Sequence, residues 1–251
     1  MSRFQFPRMF SVESHKARLA NDYGYLNAIN YMSPHLSGGV GNLCAGASPG
    51  CIALCLGLYS GQAGMVRDLE NGTNITRDSR KRKAQFFQAD VQAFLLEMSR
   101  HLERLVTKAD KLGLSLCVRP NGSTDIPFER IKLESTGLSI IAMFPGVQFV
   151  DYTKRPERFN YGKPENLSLT FSRSETNERQ ALALLRQGYN VAVVFENELP
   201  GEYLGVEVIN GDLHDLRHLD RRDPCGLVVG LKAKGRKAQA DKSGFIVRGA
   251  V

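Results

Sequence analysis

Three of the five cysteines in this 251-residue chain, Cys44, Cys51 and Cys55, fall in one short segment, CAGASPGCIALC. Its Gly, Ala, Ser and Pro content suits a loop that folds back so that separate thiolates converge on one centre. From Cys51 the run CIALCLGLY lacks breakers and predicts a helix, with Cys51 and Cys55 one turn apart on the same face. Three thiolates with no fourth nearby suit a 4Fe-4S cluster with one open iron better than a structural zinc, which closes its shell with four protein ligands. The open iron would then take a substrate or S-adenosylmethionine. Zinc is the alternative, its fourth ligand coming from afar: Cys117, Cys225, His35, His214 or His218. Six and three residues intervene between the cysteines, which matches no common zinc-finger spacing. The bland alternative is burial as small hydrophobes in a reducing compartment, and it is the reading for Cys117 and Cys225, each alone in a strand-like run.

These thiols need elements that present them. GYLNAINYMS supplies a first strand entering the cysteine loop. Ser79 to Leu112 reads as one long helical region, because Phe86, Phe87, Val91, Phe94, Leu95, Met98, Leu102 and Leu105 recur at near three- and four-residue steps before Gly113. Short, nearly continuous apolar runs follow, LSLCVRP, VQFVDYT, LSLTFS, NVAVVF, VEVIN and CGLVVGLKA, the pattern of strands covered on both faces. Between LSLTFS and NVAVVF lies ETNERQALALLRQGYN, a helix that predicts a parallel β-α-β crossover. Eight identical units do not fit, so the expected fold is an α/β domain built as a partial or abbreviated (β/α) barrel, with the cysteine loop after its first strand. No linker divides the chain: residues 1–251 form one domain, with the cysteine loop and long helix in 1–113, the strand-rich part in 114–235 and a basic segment in 236–251.

Parallel α/β folds place active groups where strands end. Candidates there are Asn121, Ser123 and Asp125, then Asp151 and Lys154, then Ser172, and finally Asn210. Asp125, Asp151 and Lys154 have the chemistry of catalytic groups; Asn121, Ser123, Ser172 and Asn210 would hold cofactor and substrate. Each is also an ordinary turn residue, and Asp151 would pair simply with Lys154 or Arg155. His214 and His218 sit four apart, a spacing for metal ligands on a helix, but HDLRHLDRRD reads better as a solvated surface segment.

A net charge of +7 and a pI near 9.2 make a polyanion a plausible partner. Two basic runs, Arg77, Arg80, Lys81, Arg82, Lys83 and Lys232, Lys234, Arg236, Lys237, could track a phosphate backbone or be plain solvated surface. SGGVG and SGQAG lack the Lys and Ser/Thr of a phosphate loop. Apolar stretches stop well short of a membrane span, and the N-terminus lacks an apolar signal core, so a cytoplasmic location in the host cell and no membrane partner are expected.

The blocks CAGASPGCIALCLGLYSGQAG, RKRKAQFF, VRPNGSTDIPFE, FVDYTKRPERF and LTFSRSETN with NVAVVF run in order from Cys44 to Phe195 and resemble the phage gene product 88 family, found in bacteriophages and prophages. Ala45 stands where the family loop usually has Pro. The layout also resembles, more remotely, radical S-adenosylmethionine enzymes, although their cysteines stand three then two residues apart and PNGSTD occupies the place of their cofactor-binding segment. The resemblance implies an iron–sulfur protein acting on a nucleotide or nucleic acid. The alternatives are a non-redox base-modifying enzyme with zinc and a catalytic Asp, and a DNA-binding module with a structural metal.

Overall fold

The computed structural model describes residues 8–13, 15–60, 63, 66–68, 71–160, 162–221, 223–235, 237–238 and 240–249. Arg236 of the second basic run, and Gly61, Gln62 and Gly64 of SGQAG, lie outside them. The fold is mixed α/β around one eight-stranded, mostly parallel sheet in the order β1-β2-β3-β4-β5-β8-β7-β6. The strands are β1 (Tyr25–Ile29), β2 (Ser115–Arg119), β3 (Gln148–Thr153), β4 (Leu167–Ser172), β5 (Val191–Phe195), β6 (Glu202–Tyr203), β7 (Val206–Asn210) and β8 (Val228–Lys232). All six apolar runs of the sequence are strands. β6 pairs antiparallel with β7; every other neighbouring pair is parallel. The sheet is open, with β1 and β6 as its edges, so no closed barrel is formed. VEVIN, expected to be covered on both faces, is instead β7 near the exposed edge and is only half-buried.

The helices are α1 (His15–Leu19), α2 (Pro49–Ala53), α3 (Leu56–Tyr59), α4 (Ile75–Ala89), α5 (Val91–Leu112) and α6 (Glu178–Leu185). The single long helix of the sequence reading is therefore two. Asp90 breaks it: its backbone is extended (φ −154°, ψ 92°), and its carboxylate accepts the Ala93 N–H at 2.9 Å as the cap of α5. A cap leaves the apolar spacing almost undisturbed, so periodicity alone runs through it. α6 links β4 to β5 as the expected crossover.

Alternation along the strands divides the core. On one face Val118, Phe149, Leu169, Phe171, Val193 and Phe195 join Phe94, Leu95, Met98 and Leu102 of α5 in the main cluster. On the other, Cys117 and Val150 meet Ala20 and Leu216 in a small one. Leu216 belongs to HDLRHLDRRD, which is not a solvated surface segment: Asp215, Leu216 and Arg217 are buried, and the 3₁₀ turn Arg217–Leu219 lies against β3 and β4. Asp215 approaches Arg119 of β2 at 3.8 Å, and His218 meets the Tyr25 ring edge-on at 4.8 Å.

α4 turns part of the first basic run inward. Lys83 is buried, and its Nζ donates to Met9 O at 3.2 Å and Asn30 Oδ1 at 3.3 Å. Burial and the neighbouring Arg80 lower its pKa from the ordinary 10.5 to about 7. Two acceptors match the two N–H donors of a neutral amine. Between about 7 and 10.5 the unfolded chain holds this proton and the folded chain does not, so Lys83 makes stability rise with pH there, by up to about 1.4 kcal/mol per unit. Denaturant titrations at a series of alkaline pH values are expected to show this slope, and Lys83→Met to flatten it; an unchanged slope in Lys83→Met would assign it elsewhere.

Candidate functional site

Because β1 to β5, β8 and β7 run parallel, their C-terminal ends share one edge of the sheet. The chain leaving β1 crosses the ends of β2, β3 and β4 in turn, and this crossing segment carries the three thiols. Cys44 donates its thiol to Ser123 O, after β2, at 3.6 Å, and its Sγ accepts the His35 N–H at 3.3 Å. Gly46 sits on Lys154, after β3, where a Cβ would lie 3.1 Å from the Lys154 Cβ. Ser48 Oγ and Gly50 N then donate to the two oxygens of Glu175, after β4, both at 2.7 Å.

Local sequence sets the pose of Cys51 and Cys55. Ser48 caps α2, accepting the Cys51 N–H at 3.2 Å, and Pro49 fills its first position. The unbroken helix expected from Cys51 onward does not form. Cys55 leaves helical geometry (φ −55°, ψ 116°) and starts α3, so the two cysteines stand on successive short helices. The bend brings Gly57 down onto the loop after β2, where a Cβ would lie 2.8 Å from the Ser123 Cβ and 3.2 Å from Pro34. Tertiary contact with a side-chain-free residue overrides the local helix signal.

The thiols interact with one another electrostatically. Burial pushes Cys44 up to about 12, with the His35 N–H opposing and Cys55, Cys51 and Asp125 adding to the rise. Burial likewise pushes Cys55 up to about 11, with Cys51 adding to it and the N–H groups of Gly57 and Leu58 and the charge of Lys154 opposing. Among the described residues, no three His, Cys, Asp or Glu side chains are grouped closely enough to hold a single metal ion. The donor set on this loop is three thiols, and the Cys44 sulfur accepts one backbone N–H bond.

The remaining candidates divide. Lys154 reaches the site: it lowers the Cys55 pKa, and its Nζ donates to Ser172 Oγ at 2.8 Å and lies 5.4 Å from the Phe245 ring centre. Ser123 is beside Cys44, although its hydroxyl donates to Met32 O at 2.6 Å. Asn121, Asp125 and Asp151 form a buried network under the loop, and Asp151 pairs with neither Lys154 nor Arg155 but with Arg158. Asp125 accepts from Arg158 at 3.1 Å and from Lys154 N at 2.9 Å; Asp151 Oδ2 accepts from Arg158 at 2.9 Å and Asn121 at 2.7 Å, and its Oδ1 accepts the Tyr152 N–H. Glu129 completes the network with two bonds from Arg158, each 2.9 Å. Asn210, at the end of β7, is not brought to the thiols; it accepts the Asp212 N–H in a turn. Cys117 is buried under Leu216, whereas Cys225, expected in a strand core, is exposed in the turn before β8.

Arg158 and Glu175 are the residues that sequence reasoning passed over. Their partners lie 7 to 33 and 125 to 127 positions away, and no local pattern announces that.

A family model described as gene product 88 matches residues 9–249. The chain belongs to the phage gene product 88 family. The match takes in the cysteine loop, the whole sheet and the Arg158 network, so all three are parts of one gene product 88 unit. No curated protein and no solved structure matches the chain. No helix among the described residues is long and apolar enough to cross a membrane.

Proposed function

We propose that this gene product 88 chain is an iron–sulfur protein acting on a nucleotide or nucleic acid. In this reading Cys44, Cys51 and Cys55 hold a 4Fe-4S cluster at the C-terminal edge of an abbreviated parallel barrel. One observation carries it: the loop after β1 brings three mutually interacting thiols over the ends of β2 to β4, where parallel folds keep their active groups. Such a cluster with one iron lacking a protein thiolate supplies one-electron reduction of a ligand at that iron, S-adenosylmethionine being the expected one.

The chain's own residues do the rest. The His35 N–H bonds the Cys44 sulfur, and the backbone N–H groups of Gly57 and Leu58 favour the ionised form of Cys55. Lys154 sets a positive charge between Cys55 and Ser172 and is the side chain best placed to meet an anionic part of the substrate. Asp125, Asp151 and Asn121 are positioning residues here, because their oxygens and amide are already committed to Arg158, to backbone and to one another. Ser123 positions Cys44 through its carbonyl.

Protein reconstituted without oxygen is expected to absorb broadly near about 400 nm, from thiolate-to-iron charge transfer. Colourless, iron-free protein after that treatment would overturn the reading, and one equivalent of zinc in its place would move the chain to the non-redox alternative.

A further inference from the structure

The cations that share one exposed face are not those that cluster in the sequence. Along α5, Arg100, Arg104, Lys108 and Lys111 stand four, four and three positions apart. With about 3.6 residues per turn, that spacing gathers them within about 80° of the helix circumference and along about 16 Å of its length. All four are exposed. The side of α5 that carries Phe94, Leu95, Met98 and Leu102 is sunk in the main core, so the stripe is turned outward.

Among the described residues, only the first of the four is paired. Glu97, the carboxylate in the same arc, is buried and holds Arg100 at 3.3 Å and His101 at 3.0 Å. Glu103 and Asp110, the exposed carboxylates of this stretch, fall about 60–80° outside the arc. Burial holds His101 below the usual histidine range, with Arg104 adding to the fall and Glu97 opposing it, so a titratable neighbour already feels the stripe's charge. Like charges four residues apart, as in Arg100 with Arg104 and Arg104 with Lys108, oppose helix formation. The stripe therefore works against α5 taken alone, and a partner of opposite charge is what offsets it.

We propose that this face of α5 is a docking surface for the phosphate backbone of duplex nucleic acid. Charge complementarity selects a polyanion, because unpaired Lys and Arg gain by replacing the counterions condensed on phosphates. A duplex fits better than a single strand: the exposed arc holds no Phe or Tyr on which unpaired bases would stack, and Phe94 is buried. Contacts to phosphates alone carry no sequence information, so the binding is indifferent to sequence. The inference rests on the nucleic-acid reading above and narrows its partner to a duplex; it does not depend on the cluster, because none of its groups lies on the cysteine loop.

The test is fluorescence anisotropy with a labelled DNA duplex of about 20 base pairs, roughly four times the length the stripe spans. Full-length protein is used both with and without iron, so that failure of the cluster leaves this result readable. Arg104→Gln and Lys108→Gln are each expected to weaken binding about three- to tenfold and to reduce the slope of log affinity against log salt by about 0.9, the loss of one phosphate contact. Both variants are expected to keep the parent's Tm, which separates lost binding from lost fold. Arg186→Gln removes the same charge from the exposed end of α6, which packs on β4 and β5 whereas α5 packs on β2, and is expected to change neither affinity nor slope. Equal affinity for two duplexes of unrelated sequence supports backbone contact. No binding, an unchanged salt slope in the two α5 variants, or an equal loss in Arg186→Gln would overturn the proposal, as would tighter binding to single-stranded oligothymidylate or to vesicles of phosphatidylserine and phosphatidylcholine than to the duplex.

Discussion

Arg158→Met is expected to lower the unfolding free energy by about 3–5 kcal/mol, the effect of leaving buried charges without their partner, and to shift the denaturant midpoint accordingly. The Arg158 side chain has no solvent exposure and binds three carboxylates, those of Asp125, Glu129 and Asp151. Methionine fills similar volume but neutralises none of them. Burial already pushes Asp151 up to about 6, with Arg158 and Asn121 pulling the other way. Its folded pKa therefore lies above the unfolded value of 3.8, so what it adds to stability is present at low pH and lost as pH rises through about 6. Removing Arg158 deepens that loss, so the variant's deficit is expected to be larger at pH 8 than at pH 5. Lysine is no substitute, because Glu129 takes the guanidinium with both oxygens at 2.9 Å. A variant of unchanged stability at both pH values would show that the network contributes nothing to the fold.

Asn121→Ala is expected to cost about 2–4 kcal/mol, because it leaves several buried groups unpaired at once. The amide donates to Ile126 O at 2.8 Å and to Asp151 at 2.7 Å, and its oxygen accepts from Thr124 Oγ1 at 2.7 Å and from Ile126 N at 3.0 Å. Three of the four bonds fold the 121–126 loop back on itself and the fourth ties it to β3, and that loop carries the Ser123 carbonyl on which Cys44 rests. Thermal unfolding is the measurement, with a fall in Tm of about 5–10 °C for a chain of this size. Because both side chains bond Asp151, the Arg158→Met and Asn121→Ala losses are expected to add up to less than their sum. Strict additivity would mean that the two act on separate parts of the fold.

The strand content was legible because buried parallel strands are continuous apolar runs, and VQFVDYT and NVAVVF keep that signal whatever their neighbours do. The position of the cysteine loop after the first strand followed from chain order alone. What escaped reading was set by contacts between distant residues. A single capping Asp90 divides a helix whose apolar rhythm continues across it, and Gly57 against Ser123 bends the chain at Cys55 although CIALCLGLY contains nothing that forbids a helix. HDLRHLDRRD is charged enough to read as surface, yet Leu216 and the approach of Asp215 to Arg119 bury it against the sheet. Asp125 lies in the loop after β2, and Asp151, expected just past the end of its strand, is instead buried within β3. Only the position of Arg158 in space reveals that their oxygens are occupied.

The central claim is that three sulfurs of one loop hold one inorganic centre, and iron and sulfide quantification on protein prepared without oxygen tests it most directly. The account predicts about four irons and four sulfides per chain, retained in Cys225→Ser and lost in Cys44→Ser, Cys51→Ser and Cys55→Ser. Iron content that is the same in those three variants as in the unaltered chain, or absent from all of them and from the unaltered chain alike, would contradict it.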